Sequence, residues 1–544
     1  MRIKTWLAMA AMMVPALAQP AFDRCSVSKD LRLVNGRIHT LDARNSIVSE
    51  VVIQDGHFTK VGDAGDARLD ACTRTIDLAG RTVVPGLIDN HNHIVLLGMR
   101  PGHDIRIETA ASIADVQAML REKSRTVPRG EFITTMGDWN SKQFAEKRAP
   151  TMAELDAALP DHPYLMNGSG TIVNTRAKKY FEDKGVTVTA EGTIVGPGFL
   201  QALNILRKEQ TFADMKRGTL EAMAYMNSFG LTTSVDMGAF TIPGTPNMQD
   251  AQQADNVESL NPWTMYDAML AVHREGTMNH RVRIFFLTQD TRADVPILRE
   301  RLNNAFMDFG DGMLKASGIG EFGAAWTFRG QETPANYETA LKLVAEKGWA
   351  FQQHTLSLRE DQFTAATFEK VNAVTPIRDL RWSIAHVPQI DKPTLEKLKS
   401  MGAGVAVHGW LYLGGAPGRG GPPYRTIVDS GVHVGAGSDA AAVSVFNPWL
   451  EIYYMVTGKN SAGEIINDGQ QLTRMEALRL YTAENGWFTH EEATLGTIEL
   501  GKLGDVAVLS ADYFDPARVN DEGIKQLRSV LTVVDGKVVH DQLR

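Results

Sequence analysis

The chain is 544 residues long, 43% hydrophobic and 22% charged, values of a folded globular protein rather than a disordered or fibrous one. Its formal net charge of −8 at pH 7 gives no electrostatic reason for nucleic acid or an anionic membrane as partner, so a small-molecule substrate is expected instead. No low-complexity tract or fixed-period repeat stands out, and the length suits a large barrel with a smaller attached domain.

Residues 1–18 have the form of a secretory signal peptide. Arg2 and Lys4 give a basic start, Trp6–Val14 an apolar core, and Ala16-Leu17-Ala18 a small-residue cleavage site. The core falls short of the roughly 20 apolar residues that cross a bilayer. Asp23-Arg24 before Cys25 argue against a lipoprotein signal. A secreted protein is therefore expected, periplasmic in a Gram-negative cell. An oxidising compartment permits a Cys25–Cys72 disulfide, the alternative being two unpaired small residues; sequence does not test their separation.

Residues 31–83 alternate as strands punctuated by turns at Asn35-Gly36 and Asp55-Gly56, and residues 496–540 repeat that texture up to Asp535-Gly536. Neither stretch is long enough to bury a convincing core alone. Between them lie eight strand candidates: Val83–Ile88, Thr232–Asp236, Val282–Leu287, Gly318–Phe322, Ala350–His354, Trp382–Ala385, Gly404–His408 and His433–Gly437. Helical segments such as Thr211–Phe229, Pro334–Glu346 and Lys392–Ser400 separate most of them. Alternating β and α elements imply an α/β fold with a parallel sheet, and eight repeats imply a (β/α)8 TIM-like barrel. The first strand is followed by an insertion at about 105–205, with further strand candidates at Phe132–Met136 and Tyr164–Met166.

The strand ends carry the chemistry. The run Thr82–Ile88 reads as one short buried strand that leads through Asp89-Asn90 into His91-Asn92-His93, a pair of imidazoles aimed at one opening. Later runs end in His354, His386 and, through Gly437-Ser438, in Asp439. Catalytic groups of such barrels gather at the C-terminal ends of the strands. Imidazoles with a carboxylate suit Zn²⁺ or a similar divalent ion. Core histidines bonded to backbone, the plainer alternative, would not share this position. His408 ends the seventh strand in the same register, with substrate contact and a structural hydrogen bond as its two readings.

The order His-x-His, His, His, Gly-Ser-Asp resembles the amidohydrolase superfamily of metal-dependent hydrolases. The finer pattern is similar to its family-3 branch of N-substituted formamide deformylase-like enzymes. Supporting stretches are Gly137-Asp138-Trp139, Arg148-Ala149-Pro150-Thr151, Val173-Asn174-Thr175 and Gly501-Lys502-Leu503-Gly504-Asp505. The resemblance implies one β-sandwich built from residues 25–83 and 490–544, flanking a hydrolase barrel at 84–489. It also implies one or two divalent ions, zinc by default, with His91, His93 and Asp439 on one and His354 and His386 on the other.

The fourth strand departs from that pattern. Where relatives have Gly-Ile-Lys, with the lysine carboxylated to bridge two metals, this chain has Gly318-Ile319-Gly320-Glu321. Glu321 is expected to supply the bridging carboxylate, although adjacent strand residues face opposite sides, so it points inward only with a bulge or shifted register. Lys315 is a poor substitute. The expected reaction is cleavage of a non-peptide C–N bond, in an amide, N-formyl or cyclic amide, by metal-activated hydroxide. Asp439, His386 and His408 are the catalytic candidates, with Asp439 carrying the proton. An ester, lactone or carbamate hydrolase and a non-catalytic exported binding protein are the competing readings. Trp139 has two readings, pocket wall and ordinary packing. Trp326, Phe328 and Arg329 are candidates for the entrance, and a homodimer is admissible.

Overall fold

The computed structural model describes Cys25 and residues 28–63, 65, 69–168, 170–238, 264–290, 292–324, 334–440 and 443–543. The signal-like residues 1–18 and the entrance candidates Trp326, Phe328 and Arg329 lie outside the described residues.

Eight strands form one sheet in chain order: β1 (Leu87–Asn92), β2 (Leu231–Asp236), β3 (Arg281–Phe286), β4 (Leu314–Glu321), β5 (Phe351–His354), β6 (Ser383–His386), β7 (Gly404–His408) and β8 (His433–Gly437). Every neighbouring pair is parallel. Beyond β8 the chain returns to β1, where Asp439 N donates to His91 O at 2.7 Å and His93 N to Ala440 O at 3.0 Å. Asn485 bridges the same seam, its Nδ2 donating to Ile88 O at 2.5 Å and Ala436 O at 2.7 Å. The seam is tight: a Cβ at Gly437 would lie 2.6 Å from both Asn90 Oδ1 and His91 N, so glycine lets the two strands meet. Helices start where the sequence caps them. Thr211 and Asp214 form a capping box on Phe212–Asn227, and the Asp391 side chain caps Lys392–Ser400.

The expected strand at Thr82–Ile88 is two strands. Thr82–Pro85 pairs with Arg37–His39 and Val506–Leu509, whereas Leu87–Asn92 belongs to the barrel. Gly86 makes the transfer possible, because a Cβ there would sit 2.2 Å from Thr232 Oγ1 on β2.

Both chain ends build the β-sandwich. One sheet orders His57–Gly62, Glu50–Gln54, Leu31–Val34 and Arg74–Asp77. The other joins Lys537–Asp541, Ser529–Val534 and Val506–Leu509 to Thr82–Pro85, Arg37–His39 and Ile47–Val48. Leu33, Val51, Ile53 and Ile76 pack against Val83, Val506, Val508, Leu531 and Val533 in a shared core. Cys25 and Cys72 are disulfide-bonded, with Cα atoms 4.8 Å apart. Two buried ion pairs tie β3 to the chain's C-terminal part: Arg281 Nε to Asp505 Oδ2 and Arg283 Nε to Glu491 Oε2, each at 2.7 Å.

The segment after β1 carries its own five-stranded sheet, running from His103–Asp104 through Ile133–Met136 and Tyr164–Gly168 to Gly170–Val173 and Thr193–Ile194. Buried Glu108 latches it to the loop beyond β8, accepting from Phe446 N at 2.9 Å and Asn447 N at 3.0 Å. Among the described residues no helix is long and apolar enough to cross a membrane.

Candidate metal centre

The strand order brings all six expected ligands to one end of the barrel. His91 is the next-to-last residue of β1 and His93 follows the strand; Glu321, His354 and His386 close β4, β5 and β6; Asp439 lies just past β8. Their donor atoms fall into two groups, His91–His93–Glu321–Asp439 and Glu321–His354–His386, each with all atoms within 4.8 Å of one another. Glu321 belongs to both.

In the first group the separations are those of atoms sharing a centre. His91 Nε2 lies 3.4 Å from Asp439 Oδ1 and 3.7 Å from Glu321 Oε2; His93 Nε2 lies 3.3 Å from Asp439 Oδ1 and 3.6 Å from Glu321 Oε1. Two ligands with bonds of about 2 Å at a tetrahedral angle are about 3.3 Å apart. His91 Nε2 is buried without a hydrogen bond of sound geometry, so its lone pair points at the middle of the cluster. The second group is drawn tighter: Glu321 Oε2 is within hydrogen-bond distance of His354 Nδ1 at 2.6 Å and 3.4 Å from His386 Nε2, and His354 Nδ1 is 2.9 Å from His386 Nε2. The donor set therefore fits one or two divalent ions.

The far nitrogens are anchored. His93 Nδ1 donates to Gly238 O at 2.7 Å, and His91 Nδ1 faces Gln352 Oε1. Such partners fix the tautomer that leaves Nε2 free as a ligand. The Gly-Ser-Asp turn is held by buried Asp89, which accepts from Ser438 N at 3.0 Å and Ser438 Oγ at 2.5 Å. His386 (φ +72°), Val387 (φ +43°) and Asp439 (φ +53°) all adopt left-handed backbone, which costs on the order of 1–3 kcal/mol each and persists where surrounding structure enforces it.

Burial and the neighbouring imidazoles act on the two carboxylates in opposite directions. Burial alone would push the Glu321 carboxyl up, but His354, His386 and His93 hold it well below the ordinary range. Asp439 behaves likewise, with burial opposed by His386, His91 and His93. Burial alone would lower His93, yet Asp439 and Glu321 raise it to about 9. His386 is lowered to about 4, chiefly by burial.

At β4 strict alternation fails. Ala316 pairs with Ile284 and Gly318 with Phe285, leaving Ser317 as a bulge, and the Gly320–Glu321 peptide is cis. Gly318 and Gly320 face Phe285, while the Glu321 carboxylate lies among the imidazoles. A Cβ at Gly320 would sit 2.8 Å from Gln352 O and 3.3 Å from Met237 Sδ, so the lysine that the family resemblance implies has no room here. Lys315 is elsewhere, paired with Asp308 at 3.1 Å and Glu491 at 3.3 Å.

His408, at the end of β7, is fully buried beside the cluster, as His91 and His386 are. Its ring lies 4.5 Å from that of His91 and 4.6 Å from that of His386, and Nδ1 contacts His386 Nδ1 at 2.8 Å. Trp139 packs in the core of the inserted segment, stacked on Phe144, with Nε1 donating to Asn167 O at 2.9 Å. These contacts are those of a packed core side chain. Gln352, Gly238 and Asp89 were missed by sequence reasoning. Gln352 sits two residues before His354, but only the fold shows that it meets His91.

The chain matches the model of the amidohydrolase family over residues 74–540. "Putative amidohydrolase YtcJ" of Bacillus subtilis (strain 168) is 24% identical over 93% of this chain and 98% of its own length. N-substituted formamide deformylase of Arthrobacter pascens is 30% identical over 25% of this chain and only 26% of its own length. Among solved structures, an uncharacterized metal-dependent hydrolase from Pyrococcus furiosus superposes with a TM-score of 0.58 at 18% identity, covering 89% of this chain and 100% of that one. Atrazine chlorohydrolase TrzN from Arthrobacter aurescens TC1, solved with zinc, gives 0.54 at 17% identity over 94% and 96%.

Proposed function

This chain belongs to the amidohydrolase family, and we propose that it hydrolyses a non-peptide C–N bond, in an amide, N-formyl or cyclic amide, at a centre of two divalent ions. Membership makes it a hydrolase of C–N bonds; the bond class and the ion count are our reading. The observation that carries it is Glu321, one carboxylate common to both ligand groups.

His91, His93, Glu321 and Asp439 would hold one ion, and Glu321, His354 and His386 the other. Zinc suits the nitrogen-rich donor set. Such ions, when bound, polarise a carbonyl and bring the acidity of water near neutrality. Asp439 then moves the proton. Its side chain is 13% exposed and that of His354 14%, against 0% for His91 and 1% for His386, so the cluster opens to solvent along the Asp439–His354 edge. A carboxylate on that edge can take a proton from attacking water and return it to the departing amine. Asp439 Oδ2 lies 3.5 Å from His386 Nδ1, and that nitrogen also contacts His408, so His386 and His408 together orient the shuttle.

Export to the periplasm is part of this proposal. The Cys25–Cys72 disulfide supports it, since such bonds persist in oxidising compartments. The test combines metal quantification with a panel of N-formyl amines, N-acyl amines, cyclic amides and matched esters. Two equivalents of metal and turnover of the C–N substrates are expected. Turnover of esters alone, or none with metal bound, would overturn the reading in favour of an ester hydrolase or a binding protein.

A further inference from the structure

Outside the ligand set, one buried carboxylate is tied to it from two directions. Asp236, the last residue of β2, is fully buried and accepts three hydrogen bonds. Val95 N donates to Oδ1 at 3.0 Å; Gly238 N at 3.0 Å and the Tyr266 hydroxyl at 2.6 Å donate to Oδ2. Val95 lies two residues beyond His93. Gly238 supplies the carbonyl that accepts from His93 Nδ1. One side chain thus pins the backbone leaving the ligand and the acceptor behind it.

We propose that Asp236 is a positioning residue for the metal centre: by holding Gly238 and the turn after His93, it keeps His93 protonated at Nδ1 with Nε2 facing the ion. The inference rests on the metal-centre reading above. A neutral imidazole carries one N–H, so a fixed acceptor at Nδ1 leaves the Nε2 lone pair for coordination. That acceptor is a single carbonyl in a loop, and its aim depends on two features. Gly238 has φ +69°, a conformation that glycine adopts freely and other residues adopt under strain. Its N–H is bound by Asp236, so the peptide on the other side of the residue is oriented too. An asparagine at 236 would offer one acceptor oxygen and turn an NH₂ group toward donors that need an acceptor. A Cβ at 238 would lie 3.3 Å from the Tyr266 hydroxyl, pressing on the same network.

The test compares metal-free wild type, D236N, G238A and Y266F. Zinc affinity is measured by competition with a chromophoric chelator, the cobalt-loaded absorption spectrum reports ligand geometry, and circular dichroism reports folding. D236N and G238A are expected to bind zinc roughly 10–100-fold more weakly, with a changed cobalt spectrum. Y266F removes one donor of three and is expected to show a smaller shift in the same direction. Wild-type zinc affinity and an unchanged cobalt spectrum in folded D236N and G238A would overturn the proposal. If D236N does not fold, the same result in G238A and Y266F overturns it. A wild type that binds neither metal would sink the metal-centre reading as well, which separates the two failures.

Discussion

Glu321→Gln separates a two-ion centre from a one-ion centre with a nearly isosteric change. Glu321 Oε2 lies 2.6 Å from His354 Nδ1 and 3.4 Å from His386 Nε2, while Oε1 lies 3.6 Å from His93 Nε2. Losing the carboxylate leaves the first group with His91, His93 and Asp439 and the second with His354 and His386 alone. Three protein ligands still make a zinc site, but two do not. Stoichiometry should therefore fall from two equivalents to one, and the survivor should depend on His91 and His93. Turnover should drop by roughly 10²–10³-fold, the usual cost of removing one preorganised electrostatic group. Elemental analysis after exhaustive dialysis reads the stoichiometry, and repeating it in a Glu321→Gln/His93→Ala double variant reads which site is left. Two equivalents retained by Glu321→Gln, or loss of the remaining ion with His93 intact, would refute the shared-carboxylate reasoning.

Asp439→Asn should keep most of the metal, because His91, His93 and Glu321 remain as three ligands, while turnover falls by roughly 10²–10⁴-fold for want of a proton carrier; full activity would remove Asp439 from the mechanism. Glu491, buried against Arg283 and Lys315, is pulled from 4.5 to about 2 against the opposing effect of burial. A depressed carboxylate stabilises the fold above its unfolded value and loses that contribution as pH falls through its folded one, here between about 4.5 and 2, worth roughly 3 kcal/mol. Glu491→Gln should accordingly lower stability at pH 7, with the gap to wild type closing as pH approaches 2 in urea titrations; a gap independent of pH would contradict this. The Cys25–Cys72 bond spans 47 residues, for which chain-entropy arguments give about 4 kcal/mol. Cys25→Ser should lower the denaturant midpoint measured on the sandwich, and an unchanged midpoint would show that the loop is held without it.

The barrel was legible because its signals are local and repeated. Short apolar runs ending in His354, His386 and His408 reappear as β5, β6 and β7 with nearly the same bounds. The centre was legible for the same reason, since strand order alone delivers strand ends to one rim. What stayed hidden depends on contacts between distant segments. Pro85-Gly86 reads as part of one apolar run, yet Thr232 on β2 leaves space only for glycine there, and the run splits between two sheets. His408 ends its strand in the same register as the ligands, and only the fold shows that its imidazole packs between those of His91 and His386. The partners Gln352 and Gly238 carry no signal in sequence, because hydrogen bonds to His91 and His93 across the barrel have no local period.

The fourth strand shows how a changed residue type alters a chemical dependence. A lysine can become a bridging ligand only after its amine has been carboxylated, so a centre built on one would need carbon dioxide for assembly. In the proposed centre the carboxylate is that of Glu321 itself, one position along. Gly320 leaves no space for a lysine, since a Cβ there would meet Gln352 O at 2.8 Å. Metal-free protein should therefore regain two equivalents of zinc and full turnover at the same rate with bicarbonate present or rigorously excluded. The converse variant, Gly320→Lys with Glu321→Gly, should not recover a second ion at any bicarbonate concentration, because the strand must shift before the lysine stem fits. Reconstitution of the wild type that requires bicarbonate would mean that some lysine still supplies the bridge, and Glu321 would lose its assignment.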